Sequence, residues 1–105
     1  MNIEVYNKLV RDRIPEIIKK NGGEPKTRIL GDEEYKKMLD EKLLEEVHEY
    51  LKDDNVEEIA DIYEVIKAIL KYKETTYEDL EKIALEKKIK RGGFEEKIFL
   101  EEVLE

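Results

Sequence analysis

A chain of 105 residues with 46% charged side chains, no cysteine and a formal charge of -8 fits one domain and excludes a disulfide framework, a thiolate metal site and a thiol nucleophile. The acidic balance argues against a nucleic-acid polymer as partner, because that binding needs Lys and Arg to replace the counterions condensed around phosphates. No apolar run approaches the ~18 residues of a membrane span and the N-terminus lacks a signal-peptide pattern, so no membrane partner is expected and a cytoplasmic location is the default.

Few Gly and Pro and an abundance of Leu, Ile, Val, Lys and Glu predict an all-α domain over 1–105, four-helix and bundle-like, with short extended termini. Richness in Lys and Glu without any Gln leans towards a thermophile. Met1 to Tyr6 alternates and reads as an extended arm. A first helix follows through Ile18, with Asp12 as expected N-cap, Pro15 in the first turn and Gly22-Gly23 as its end. Glu24 to Leu30 reads as a connector or short strand.

Asp32 is the expected cap of a second helix running to Lys52, with Tyr35, Leu39, Leu43, Val47 and Tyr50 on one stripe. At 100° per residue Glu46 lies about 20° from Leu39 and Glu49 about 80° away, with Lys42 between them. Glu46 therefore borders the buried face. Asp53-Asp54-Asn55 supplies a tight turn and the next cap, which makes the second and third helices antiparallel neighbours. The third helix, Val56 to Tyr72, is apolar over more than half its circumference, which predicts that it is mostly buried. Its apolar surface exceeds what one chain can cover, so a homodimer or higher homo-oligomer is expected. Glu58 nevertheless points between Val65 and Ile69, with Asp61 about 60° further round. Thr76 and Asp79 resemble a capping box opening a fourth helix from Tyr77 to Arg91, which Gly92-Gly93 terminates. The tail beyond carries an apolar cluster at Ile98, Phe99 and Leu100.

Glu46-x-x-Glu49 and Glu58-x-x-Asp61 each place two carboxylates on one helix face, and Glu45 adds a fifth acid. If the faces meet, the repulsion needs a counterion. A hard divalent cation suits oxygen donors, and Mg²⁺, which keeps waters and takes phosphate oxygens, fits better than a softer metal; Mn²⁺ is an alternative. The ordinary reading is solvated helix faces in an acidic chain. Glu45-x-x-His48 is also half of a di-iron motif, but one histidine in the chain excludes that site within a monomer, and His48 is expected at the surface. Tyr35, Tyr50 and Tyr63 read as core or interface.

Glu45-Glu46-x-x-Glu49 followed by Glu58-x-x-Asp61 resembles the EExxE...ExxD signature of the all-α nucleoside triphosphate pyrophosphohydrolases, the MazG-like superfamily. The blocks Lys8-Leu-Val-Arg-Asp-Arg-Ile-Pro-Glu-Ile-Ile18 and Lys87-Lys88-x-x-Arg91-Gly-Gly-Phe94 are similar to flanking blocks of its phosphoribosyl-ATP pyrophosphohydrolase-like subgroup. The resemblance implies a MazG-type fold, Glu46, Glu49, Glu58 and Asp61 as Mg²⁺ ligands, and Glu45 as a further catalytic acid that binds metal or orients water. It also implies hydrolysis of a small-molecule nucleotide between the α and β phosphates. Lys42, Lys87, Lys88 and Arg91 are the candidates to bind substrate phosphates, with Lys8, Arg11 and Arg13 as a weaker second cluster. The competing class is a non-catalytic helical module that binds metal or nucleotide or mediates oligomerisation through the same residues.

Overall fold

The computed structural model describes residues 2–105. It contains four α-helices, α1 (Ile14–Lys20), α2 (Asp32–Asp53), α3 (Val56–Tyr72) and α4 (Tyr77–Arg91), and no strand among the described residues. The fold is all-α, and Glu24 to Leu30 is a connector rather than a strand. Met1, first residue of the expected arm, lies outside the described residues; residues 2–13 have no helix or strand.

Two expected caps move by one residue. Arg13, not Asp12, is the N-cap of α1, and its helical backbone precludes the extended geometry that a capping side chain needs. A turn in which the Ile14 amide donates to the Arg11 carbonyl at 3.0 Å closes the entrance instead. Gly31 rather than Asp32 caps α2, so Asp32, Glu33 and Glu34 all lie in the first turn, where negative charge favours the helix dipole. The other caps fall where the pattern puts them: Asn55 accepts from the Glu58 amide at 3.0 Å and Thr76 from the Asp79 amide at 3.1 Å.

Helix ends follow backbone chemistry. After α1 the Gly22 and Gly23 amides donate to the carbonyls of Lys19 and Ile18, a Schellman closure with Gly22 left-handed at φ 90. The same closure ends α3, where Glu74 and Thr75 donate to Lys71 and Leu70, but here Glu74 takes the left-handed position at φ 55. A side chain there costs energy that glycine avoids. Glu74→Gly is therefore expected to stabilise the protein by about 1 kcal/mol, read as a higher urea midpoint with an unchanged slope.

The core lies between α2 and α3, which pack together as an antiparallel hairpin across Asp54 and Asn55. Leu39 is the most buried side chain at 2% exposure, flanked on its stripe by half-buried Tyr35, Leu43, Val47 and Tyr50. Val65 is buried opposite, with Ile62, Ile66 and Ile69 partly covered. At the open end Tyr35 meets Tyr72 edge-on at 6.1 Å. α3 is less covered than its composition predicts, because α2 shields only one side of it: Ile59 and Tyr63 remain nearly half exposed. α4 touches the hairpin near its start, where Tyr77 packs edge-on against Tyr63 at 6.2 Å, and every residue from Glu81 onward is exposed. The molecule is accordingly long, 64 × 31 × 26 Å, with a radius of gyration of 18.7 Å. A compact chain of this length has about 13 Å.

Candidate metal centre

The hairpin turn positions the acids. α2 approaches it carrying Glu45, Glu46 and Glu49, and α3 leaves it carrying Glu58 and Asp61. Antiparallel pairing close to so short a connection brings the last turns of α2 against the first turns of α3. Carboxylate oxygens of Glu46, Glu58 and Asp61 lie within 4.8 Å of one another, all three side chains half-buried. A second group, Glu49, Asp53 and Glu58, meets the same distance limit on the more exposed side. Glu58 belongs to both.

Asp53, expected in the turn, belongs instead to the end of α2. α2 runs one residue further than expected, and Asp53 then falls four residues after Glu49 on the same face. That spacing was the available signal. Glu45 stands apart from both groups: its carboxylate accepts from Lys8 at 2.8 Å and from Lys42 at 3.2 Å.

Three cations partly neutralise this face. Lys42 sits 3.3 Å from Glu46, both about 85% shielded from solvent (15% and 13% exposed), and Arg11 donates to Asp61 at 2.8 Å. Against Glu45, Glu46, Glu49, Asp53, Glu58 and Asp61 there are Lys8, Arg11 and Lys42, six negative charges less three positive. Glu49, Asp53 and Glu58 have no cationic partner among the described residues. The electrostatics of individual groups follow. Desolvation, then a hydrogen bond with Asp53 and the charges of Asp53, Asp61 and Glu49, push the Glu58 carboxyl above its ordinary range. For Glu45 burial pushes upward, but hydrogen bonds from Lys8 and Lys42 outweigh it and hold the group below that range. The hydrogen bond to Glu45 raises the Lys8 ammonium in turn.

The donor set fits a hard cation. All of the donors are carboxylate oxygens, which Mg²⁺ prefers, and within each group they lie within 4.8 Å of one another. Beside Glu46 and Asp61 opens a cleft of about 230 Å³ lined also by Lys8, Val10, Arg11, Ile14 and Lys42. The cations that line it are paired with the acids, Arg11 with Asp61 and Lys42 with Glu46. Lys42 is thus beside the carboxylates as expected, whereas Lys87, Lys88 and Arg91 stand exposed on α4, line no part of this cleft and pair with none of the acids. The Lys8 and Arg11 cluster, ranked lower on sequence grounds, reaches the site instead; Arg13 pairs with Glu16 of its own helix. His48 is exposed, as expected.

No protein-family model matches the chain. No solved structure matches it either. A 41-residue stretch, 39% of this chain, is 58% identical to an uncharacterized protein of Mycolicibacterium smegmatis and spans 42% of that protein's length. No helix of the described residues is long and apolar enough to cross a membrane.

Proposed function

We propose that the chain is a Mg²⁺-dependent nucleotide pyrophosphohydrolase, cleaving a nucleoside triphosphate or phosphoribosyl nucleotide between the α and β phosphates to a monophosphate and pyrophosphate. The observation that carries this reading is the pair of adjoining carboxylate groups joined at Glu58, set beside a cleft that Lys8, Arg11 and Lys42 also line. Carboxylates alone would repel a polyphosphate, and cations alone would need no such acidic cluster. The resemblance of the three ordered sequence blocks supports the choice of bond.

Glu46, Glu58 and Asp61 would hold one cation, and Glu49 and Asp53 with Glu58 could hold a second. Bound there, Mg²⁺ supplies charge neutralisation on the phosphates and a lowered pKa for water. Lys42 orients the polyphosphate from the cleft wall. Glu45 holds Lys8 and Lys42 in place. Attack by water on the α-phosphorus is direct; the chain has neither a Cys nor a Ser nucleophile. The protein works as a homodimer or larger homo-oligomer.

The test is pyrophosphate release from a panel of canonical and damaged nucleoside triphosphates and phosphoribosyl nucleotides with Mg²⁺ present. Turnover of one or a few, abolished in Glu58→Gln, is expected. No turnover of any would leave a metal-binding or nucleotide-binding helical module.

A further inference from the structure

Two ion pairs tie the N-terminal arm to the acidic hairpin across long stretches of sequence, Lys8 to Glu45 on α2 and Arg11 to Asp61 on α3, each at 2.8 Å. Residues 2–13 have no helix or strand of their own, so these pairs, with Val10 and Ile14 in the cleft wall, decide where the arm lies. We propose that Lys8 and Arg11 are polyphosphate-binding residues that Glu45 and Asp61 hold in the metal-free protein, and that a divalent cation at the carboxylate centre competes for Asp61 and so frees Arg11 for the substrate, beside Lys8. The inference rests on the metal-centre reading above.

The reasoning is one of competition and geometry. Asp61 belongs to the half-buried carboxylate group and is also the acceptor of Arg11. A dication bound there draws on the same lone pairs and repels the guanidinium. The Arg11 side chain is 56% exposed and Asp61 41%, so their pair is the weak, solvent-screened kind that a divalent competitor displaces. Its bond to Asp61 uses one nitrogen of a fork built for phosphate oxygens. With Glu46, Glu58 and Asp61 neutralised by metal, Lys8, Arg11 and Lys42 face Glu45 alone and give the cleft of about 230 Å³ a net positive lining. A triphosphate has the complementary charge. The arm thus serves two successive states with the same side chain, Arg11.

Competition and substrate binding predict opposite signs for one substitution. In calorimetric titrations Arg11→Ala should bind Mg²⁺ or Mn²⁺ about 2–5-fold more tightly than wild type, the scale of one removed surface ion pair. With Mg²⁺ saturating, the same variant should bind inorganic tripolyphosphate at least ~10-fold more weakly, the scale of a lost charge-assisted hydrogen bond. Lys8→Ala should repeat the second effect. Arg28→Ala, which breaks a comparable surface pair with Glu34 away from the cleft, should change neither. Weaker metal binding by Arg11→Ala would mean that Arg11 orients Asp61 as a ligand, and would overturn the proposal, as would unchanged tripolyphosphate affinity. Absence of metal binding by the wild type overturns the metal centre itself.

Discussion

Mg²⁺ or Mn²⁺ at a hundredfold excess over its dissociation constant should stabilise the wild-type protein by about 2.7 kcal/mol, a rise in melting temperature on the order of 10–20 °C for a chain of this size. Glu58→Gln should lose most of that shift, because Glu58 is the one side chain in both carboxylate groups. Glu49→Gln and Asp61→Asn should each lose part of it, having one group apiece. If all three variants respond to metal as the wild type does, the metal centre is elsewhere or absent.

The metal-free protein should answer Glu58→Gln with the opposite sign. The Glu58 carboxyl lies above its unfolded value, so the folded protein holds a proton there more readily than the unfolded chain. Stability from this group is therefore gained as pH falls through the window just above the ordinary glutamate pKa, and lost as pH rises through the raised one. At neutral pH the ionised carboxylate opposes folding, and a neutral amide of the same shape relieves it. Glu58→Gln should thus melt slightly higher than wild type in chelator and clearly lower in Mg²⁺. A residue that costs stability until its ligand arrives is the pattern expected of a functional site rather than of a solvated helix face. Equal effects of the substitution with and without metal would favour the solvated face.

Local signals carried most of the fold. The Asn55 and Thr76 caps, the glycine stop after α1 and the Leu39 stripe each depend on a few neighbouring residues, and each appears where the pattern puts it. The corrections at Asp12 and Asp32 come from a condition that pattern alone does not resolve: an Asp caps only where the helix begins just after it and its own backbone stays extended, and neighbouring turns decide that. The acidic centre was legible because helical spacing and a short turn are local too. Its basic counterpart was legible only in part, at Lys42. Lys8 and Arg11 reach Glu45 and Asp61 over separations of 37 and 50 residues through a segment without periodicity, whereas Lys87, Lys88 and Arg91, singled out with the block before Gly92-Gly93, lie on an exposed stretch of α4.

That open α4 leads to the second large effect. The wild-type chain should sediment at twice 12.5 kDa or more at micromolar concentration, with a melting temperature that rises with protein concentration. Val56, Ile59 and Tyr63 form a stripe at spacings of three and four on the side of α3 that α2 does not cover, and all three are exposed. On α4 Ile83, Leu85 and Ile89 are exposed as well, and Phe94, Ile98, Phe99 and Leu100 continue that apolar surface into the tail. Isolated apolar side chains on a surface are ordinary, but runs of this kind on consecutive elements are not. The radius of gyration of 18.7 Å, against about 13 Å for a compact chain, says that one copy has not closed a core of its own beyond the hairpin. Ile59→Lys puts a charge into the middle of the α3 stripe without touching the side facing Leu39, and should weaken self-association at least ~10-fold. It should also flatten the concentration dependence of melting. A wild type that stays monomeric at every concentration, with a melting temperature indifferent to dilution, would show instead that the hairpin alone sustains the fold and that the exposed stripe awaits a different partner.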